Sequence, residues 1–184
     1  MINREISNID VKNLNLIRSN IEEFLASYGK LLDVIDLMVL DIAPQDHAGA
    51  NPHFPKSFIE TVDINPKSGA TYIADICECN DSIIQQDTYD VVVCTEVLER
   101  TLNPFDAVKE IHRVLKSKGV ALVSVPFNLR IHGPLPDCWR FTEHGLRSLF
   151  NYHNLFEIEE ISPLEDTNRF LMPIHYTLVV RKNI

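Results

Sequence analysis

The chain has 184 residues, of which 45% are hydrophobic and 23% charged, and its formal net charge is −9. This composition is typical of a globular protein, and we expect one domain over residues 1–184, with a leading helical segment at 1–36 and an α/β core at 37–184. Nucleic acid is an unfavourable partner for so acidic a chain, because affinity for phosphates comes mainly from Lys and Arg.

The N-terminal residues alternate charged and apolar side chains, unlike the basic start and apolar stretch of a signal peptide. No run of about 18 apolar residues occurs, so we expect no membrane-spanning helix and a cytoplasmic location. The cysteines match neither a disulfide framework nor paired zinc knuckles, and we expect reduced thiols at Cys77, Cys79, Cys94 and Cys138. The histidines form no chelating pair with nearby acids, so no metal is expected.

The first half of the chain combines one helical pattern with three short strand-like runs. An apolar stripe of helical period predicts a leading helix over about 11–35. The run at 39–42 is short and apolar, and two further runs follow at 58–63 and 71–75. Each of the three contains an aspartate at or near its end: Asp41, Asp63 and Asp75. We expect each run to form a strand that ends at or next to its aspartate.

The second half continues the alternation of strands and helices. Residues 89–94 form the clearest strand pattern, and a helix is predicted over about 104–116, with Asn103 as N-cap, Lys116 and Lys118 at its C-terminal end and Gly119 as the stop. A buried strand at 120–126 and an irregular segment at 127–141 follow, then a helix from Thr142 to Phe150. The runs at 156–161 and 175–180 alternate as a closing antiparallel pair. This order predicts a largely parallel α/β sheet with an antiparallel last strand.

Acidic residues follow the first four predicted strands. In an open α/β sheet, ligands bind at the carboxyl ends of the strands. The acids expected there are Asp41 or Asp46, Asp63, Asp75, and Glu96 or Glu99. Asp63 lies about 20 residues beyond Asp41, the interval at which nucleotide-binding units place a ribose-binding carboxylate. The alternative for Asp63 is a loop cap or a solvated carboxylate.

The runs at 39–42, 62–64, 74–76, 89–99 and 113–119 together resemble class I S-adenosylmethionine-dependent methyltransferases. The likeness spans about 37–150 and is most specific over 89–126. It implies a Rossmann-like three-layer sandwich, whose seven-stranded sheet is mostly parallel with an antiparallel last strand, and S-adenosylmethionine as the cofactor. It implies that Asp63 binds the ribose and that Asp75 and Ile76 lie along the adenine. The other cofactor-binding residues that it implies are Asp41, Ala43, Gln45, Ile64, Thr95 and Glu96.

The first loop departs from this family. Its members usually have a glycine-rich turn after the first strand, but residues 43–49 here read Ala-Pro-Gln-Asp-His-Ala-Gly. Glycine permits positive φ and a close backbone approach to a ligand. One explanation is that Pro44 and Gly49 rebuild the turn, with Gln45, Asp46 or His47 contacting the cofactor. Arg100 is a second departure, since many relatives have His after the glutamate that corresponds to Glu99.

A narrower likeness lies in residues 125–127, 130–134, 137 and 139–142, which are similar to a subgroup of small methyltransferases often associated with sugars, glycans or secondary metabolites. Relatives commonly have Tyr where this chain has Cys138. The likeness implies a small polar acceptor, beside a segment that supplies an imidazole, a carboxylate, an indole and two guanidinium groups.

A hydroxyl acceptor requires a base, and His132 is the first candidate for a catalytic base, since imidazole titrates near neutral pH. Asp137 is the second candidate, and the alternative for His132 is a structural loop residue. Trp139 is expected either to stack on a substrate ring or to pack on the core. Arg130 and Arg140 are the candidates for binding the acceptor, although an arginine such as Arg140 more often forms a structural ion pair with a nearby acid.

The leading hypothesis is therefore a small-molecule methyltransferase that methylates oxygen or nitrogen, and the sequence also allows a homodimer. The alternative is a degenerate, non-catalytic or partner-dependent subunit, suggested by the glycine-poor first loop. A nicotinamide-dependent dehydrogenase is disfavoured, because no G-x-G-x-x-G motif follows the first strand.

Overall fold

A computed structural model describes residues 6–44, 48–133 and 135–183. Its helices are α1 (Asn8–Leu32), α2 (Pro104–Val114) and α3 (Glu143–Phe150), with single 3-10 turns at Leu98–Arg100 and Tyr152–Asn154. Its strands are β1 (Met38–Ile42), β2 (Phe58–Asp63), β3 (Tyr72–Ile73), β4 (Tyr89–Thr95), β5 (Leu115–Pro126), β6 (Phe156–Glu165) and β7 (Pro173–Lys182). In these ranges, no helix has the length and apolar character needed to cross a membrane.

The strands form one seven-stranded sheet in the order β3-β2-β1-β4-β5-β7-β6. The pairs from β3 to β5 are parallel, whereas β7 runs antiparallel to both of its neighbours. This topology confirms the expected mostly parallel sheet with a reversed last strand. The strand order changes direction between β1 and β4, which is where an open α/β sheet leaves a crevice at the carboxyl ends of its strands.

Both faces of the sheet are covered, which gives the three layers that were expected. Strand side chains alternate between the faces, so that Leu40 and Val92 join one core and Val39 and Val91 join the other. The first core is closed by α2 and α3, through residues such as Ile111, Leu146 and Phe150. The second core is closed by α1 and by the turns near Ala50 and Phe54.

Helix α1 lies close to the turns that follow β1. Ser7 caps the helix by accepting a hydrogen bond from the backbone N–H of Asp10, and Phe24 and Leu25 are buried against the second core. Gly29 permits the closest approach, because a Cβ at this position would lie 2.3 Å from the backbone oxygen of His53. A side chain at position 29 would therefore separate the helix from the turn.

Two predicted boundaries were wrong. Helix α2 ends at Val114, and Lys116 and Lys118, which were expected to end it, lie in β5. Gly119 does not cap the helix. It lies in β5, where its backbone is so close to Lys116 that a Cβ at position 119 would lie 2.9 Å from the Lys116 carbonyl oxygen. The run at 71–75 forms only the two-residue edge strand β3, which pairs with the end of β2.

Two glycine-to-alanine substitutions in helices should change stability in opposite directions. Gly29→Ala should lower the free energy of unfolding by about 1–3 kcal/mol, because the new methyl group meets backbone that cannot move without repacking. Gly145→Ala, in α3, should raise it by about 0.5–1 kcal/mol, since alanine favours the helix and its Cβ meets only Thr142 Oγ1 at 3.5 Å. Urea denaturation of both variants measures the difference, and a stabilised Gly29→Ala would contradict the close contact.

Candidate active site

The candidate residues on β1, β2 and β4 lie along one edge of the sheet. Asp41 is near the end of β1, Asp63 ends β2, and Thr95 ends β4 with Glu96 directly after it. Because these strands are parallel, their carboxyl ends meet at this edge. The topology thus brings together acids that are far apart in the sequence.

Asp41 organises the first loop from inside the protein. Its side chain is only 3% exposed, and its Oδ2 accepts a hydrogen bond of 2.7 Å from the backbone N–H of Ala50. Gly49 has φ +55° and lies so close that a Cβ there would come within 2.1 Å of this oxygen. Burial raises the pKa of Asp41 to about 7. The carboxyl group is therefore a buried support of the loop.

Ala43 has the backbone conformation that the sequence argument reserved for glycine. Its φ is +51°, and its N–H donates a 2.8 Å hydrogen bond to the carbonyl oxygen of Val62. A left-handed alanine costs roughly 1 kcal/mol, so the loop keeps this conformation in spite of the side chain. Gln45, Asp46 and His47, the other residues expected near the cofactor in this loop, lie outside the described residues.

Asp63 and Asp75 each bind the loop that follows them. Asp63 Oδ1 accepts from the N–H of Asn65 at 2.7 Å, and Asp75 Oδ1 accepts from the N–H of Cys77 at 2.8 Å. Each bond fixes one carboxylate oxygen and the local turn. Of the two isoleucines expected beside them, Ile76 is 7% exposed and Ile64 is 66% exposed. Only Ile76 thus belongs to the core beside this edge.

Glu96 is tied to three elements beyond its own strand. It has φ +56°, unusual for a residue other than glycine. Its Oε1 accepts a hydrogen bond of 3.0 Å from Ser124 Oγ on β5 and one of 2.8 Å from His175 Nε2 on β7. The other ring nitrogen of His175, Nδ1, lies 2.8 Å from Nδ2 of Asn20 on α1. This arrangement places the proton of a neutral His175 on Nε2.

Glu99 is a carboxyl group enclosed by protein. It is 0% exposed, and neither side-chain oxygen has a hydrogen-bond partner within the described part of the chain. Its closest cation is Arg100, whose Nε lies 3.4 Å from Oε1. Burial, reinforced by the neighbouring Glu96, raises the pKa of Glu99 well above its usual range. Its backbone carbonyl accepts from the N–H groups of Cys138 and Trp139 at 2.7 and 3.0 Å, and so anchors the segment above it.

The irregular segment at 127–141 is held by Asp137. Its Oδ2 accepts from both the backbone N–H and the Nδ1 of His132, at 3.0 and 3.1 Å. Its two carboxylate oxygens also accept from Nη1 and Nη2 of Arg140. The Arg140 guanidinium holds the pKa of Asp137 well below its usual range. A lowered pKa favours the ionised form of Asp137, which suits a hydrogen-bond partner of His132 better than a proton acceptor.

Trp139 and the two arginines of this segment differ in how firmly they are held. Trp139 Nε1 donates to the carbonyl oxygen of Thr101 at 2.8 Å, its ring stacks on Phe141, and the residue remains 42% exposed. Arg140 forms the structural ion pair with Asp137, whereas Arg130 is exposed. The indole thus combines a fixed edge with an accessible face.

The sequence argument did not identify the partners of Glu96. Ser124 and His175, which contact Glu96, come from β5 and β7, and Asn20, which contacts His175, comes from α1; none of the three lies near Glu96 in the sequence. The available signal was His175, an ionisable residue at 0% exposure in a strand whose first eight residues are all buried.

A family model described as a methyltransferase domain matches residues 18–160. The chain has the fold of a putative S-adenosylmethionine-dependent methyltransferase from Listeria monocytogenes, with TM-score 0.65 and 14% identity over 89% of this chain and 100% of that one. It also resembles the [4+2]-cyclase SpnF, with TM-score 0.67 and 14% identity over 90% of this chain and 80% of that one. A third similar structure is a putative methyltransferase in complex with the Haloferax volcanii Trm112 methyltransferase activator, with TM-score 0.62 and 13% identity over 98% and 100% of the two chains. No curated protein matches the sequence.

The stability of the protein should depend on pH through Asp41. Its pKa rises from 3.8 to about 7 on folding, so the stability that it contributes is complete below pH 4 and is lost as the pH rises through 7. The loss is at most about 4 kcal/mol, since one pKa unit corresponds to about 1.36 kcal/mol. Between about pH 5 and 9, the Asp41→Asn variant should therefore lose less stability than the natural chain.

Thermal melts at the two pH values measure this difference. Asp81→Asn, at an exposed carboxyl group, serves as the control and should follow the natural chain. Equal pH dependence of all three proteins would show that Asp41 does not titrate in this range.

Proposed function

We propose, because this chain belongs to the methyltransferase domain family, that it transfers a methyl group from S-adenosylmethionine to the oxygen or nitrogen of a small polar acceptor. The acceptor class that we favour is a sugar, a glycan precursor or a secondary metabolite. The observation that carries the proposal is the His132–Asp137 pair, in which the imidazole Nδ1 lies 3.1 Å from Asp137 Oδ2. This pair follows the carboxyl end of β5 in the sequence, and the crevice lies at the carboxyl ends of the parallel strands.

The cofactor end of the crevice would be formed by the loops after β1, β2 and β3. Asp63 would accept hydrogen bonds from the ribose, and Asp75 and Ile76 would lie along the adenine. The left-handed Ala43 fits this assignment, because it provides without glycine the backbone turn that the first loop requires. Asp41 supports this loop through its hydrogen bond with the N–H of Ala50, and Thr95, at the end of β4, would line the bottom of the crevice. When bound, S-adenosylmethionine supplies an electrophilic methyl group.

The acceptor end would be formed by the segment at 127–141. His132 donates through Nδ1 to Asp137, which leaves Nε2 with a lone pair for a proton of the acceptor. Asp137 would orient the ring and stabilise its protonated form, as carboxylates do in other catalytic pairs. Trp139 offers an apolar face to an acceptor ring, and the exposed Arg130 would bind an anionic substituent. Arg140 acts in this proposal by holding Asp137.

A second candidate is a non-catalytic or partner-dependent subunit of the same fold. The observation that favours it is the first loop, where Ala, Pro, Gln and His stand at 43–45 and 47 in place of most of the usual glycines. The Haloferax volcanii complex is an example of a similar fold with an activator bound. The two candidates differ in whether the isolated chain binds the cofactor, and one experiment separates them.

Isothermal titration with S-adenosylhomocysteine should show micromolar binding to the natural chain. Asp63→Asn should weaken the affinity by about 1.5–3 kcal/mol, the usual value of hydrogen bonds to a charged group. The substitution keeps an oxygen for the N–H of Asn65, but it replaces the second carboxylate oxygen with an amide donor.

Asp36→Asn is the matched control, because Asp36 is exposed and precedes β1 at the opposite edge of the sheet. Its affinity should equal that of the natural chain. Full affinity of a folded Asp63→Asn variant would remove Asp63 from the site. If the folded natural chain binds neither S-adenosylhomocysteine nor S-adenosylmethionine, the partner-dependent candidate replaces the enzyme.

For a hydroxyl acceptor identified in a screen, His132→Gln should lower kcat by about 10²–10⁴-fold, the usual contribution of a positioned base. The affinity for S-adenosylhomocysteine should not change. His144→Gln, at an exposed position in the first turn of α3, is the control and should keep full activity. A parallel loss of turnover and cofactor affinity in His132→Gln would show that His132 only maintains the fold of the segment.

A further inference from the structure

We infer that Glu96 is an acceptor-side carboxylate that selects a primary or secondary amine as the methyl acceptor. This inference rests on the proposed function and narrows its substrate class. It also moves Glu96 from the cofactor half of the crevice, where the family resemblance had placed it, to the acceptor half.

The Glu96 side chain points away from the strands that carry the acids assigned to the cofactor. The acids assigned to the cofactor lie on β1, on β2 and after β3, on one side of β4 in the strand order. Glu96 is bonded to Ser124 of β5 and His175 of β7, which lie on the other side of β4. Its carboxylate is therefore fixed towards the strands from which the acceptor segment emerges.

The two oxygens of this carboxylate have different surroundings. Oε1 accepts both hydrogen bonds, from Ser124 and His175. Within the described residues Oε2 takes part in no hydrogen bond. It is not among the fully buried atoms that lack a hydrogen-bond partner, and the Glu96 side chain is 19% exposed. Oε2 is thus a fixed acceptor that is open to a bound molecule.

No Lys or Arg side chain in the described part of the chain forms a direct ion pair with the Glu96 carboxylate, whereas Asp137 is paired with Arg140. The charged or ionisable side chains around Glu96 include His175, whose Nε2 contacts Oε1 and whose ring is oriented by Asn20, and Arg140, which interacts with Glu96 electrostatically without a direct contact. A carboxylate in this setting favours a ligand group that is positive or becomes positive.

An amine fits this charge better than a hydroxyl group. In the transfer, the acceptor reacts as the neutral amine: its nitrogen lone pair forms the C–N bond while the C–S bond of the cofactor breaks and its electron pair stays on sulfur. Positive charge then develops on nitrogen, where the carboxylate stabilises it. The methylated nitrogen afterwards gives its proton to Nε2 of His132. A hydroxyl acceptor that gives its proton to a base before the transfer would instead carry negative charge beside Glu96, which the same carboxylate opposes.

Sinefungin tests this inference without knowledge of the acceptor, because it carries a protonated amine where the cofactor carries its reacting methyl group. We expect the natural chain to bind sinefungin about 10–100-fold more tightly than S-adenosylhomocysteine, the range expected of a hydrogen bond between charged groups. The Glu96→Gln variant should bind sinefungin and S-adenosylhomocysteine with about equal affinity, and its affinity for S-adenosylhomocysteine should equal that of the natural chain. Gln keeps an acceptor oxygen for Ser124 and His175 but presents an amide donor to the amine.

Two further variants make the experiment specific. Glu143→Gln removes the same charge from the first residue of α3, where Glu143 binds Arg147, and should keep the preference. Asn20→Ala removes the group that orients His175 and should reduce the preference without weakening S-adenosylhomocysteine binding. A purely structural role of Asn20 would instead weaken both ligands equally.

The outcomes are distinguishable. Binding of S-adenosylhomocysteine without a preference for sinefungin in the natural chain would overturn the amine inference and leave the proposed function intact. Equal loss of both ligands in Glu96→Gln would return Glu96 to the cofactor half and also overturn the inference. If the natural chain binds neither ligand, the proposed function fails and the inference fails with it.

Discussion

The structure depends on how one edge of the sheet accommodates several carboxyl groups close together. Each carboxyl group is accommodated in a different way. Asp41 is buried with a raised pKa, Asp63 and Asp75 bind the N–H groups of their own loops, and Asp137 is neutralised by Arg140. Glu99 is enclosed with a raised pKa. Glu96 accepts hydrogen bonds from Ser124 and His175 through Oε1, and its Oε2 has no hydrogen-bond partner among the described residues.

Much of the fold was predictable because its central strands are buried on both faces. Such strands read as nearly continuous apolar runs, and the run at 89–94 covers all of β4 except Thr95. The end of α2 was not predictable from local signals. Lys116, Lys118 and Gly119 form a typical helix terminus, but β5 pairs with β4 already at Leu115, opposite Tyr89. Strand pairing therefore determined the backbone conformation there. Gly119 looks like a helix cap in the sequence, but in the structure it allows a close backbone contact within β5.

The site was predictable where its interactions are local. Asp63 and Asp75 bind N–H groups two residues away, so a strand that ends on an acid already indicates their position. The pairing of His132, Asp137 and Arg140 is also confined to one short segment. By contrast, Glu96 and His175 are 79 residues apart, and Asn20 and His175 are 155 apart. No pattern of spacing predicts such contacts, because only the order of β4, β5 and β7 in the sheet brings them together.

Under the proposed assignment, this difference gives the cofactor half and the acceptor half of the crevice different physical requirements. The cofactor half is built from loops that fold on their own acids, so it tolerates an altered first loop as long as Ala43 reaches the left-handed region. The acceptor half requires α1, β5 and β7 to be in place, and Asn13 adds a bond of 2.8 Å from α1 to the carbonyl oxygen of Asn128 in the acceptor segment. Displacement of α1 would therefore release Asn128 and His175 together. The docking of α1 against the sheet should consequently affect acceptor binding more strongly than cofactor binding.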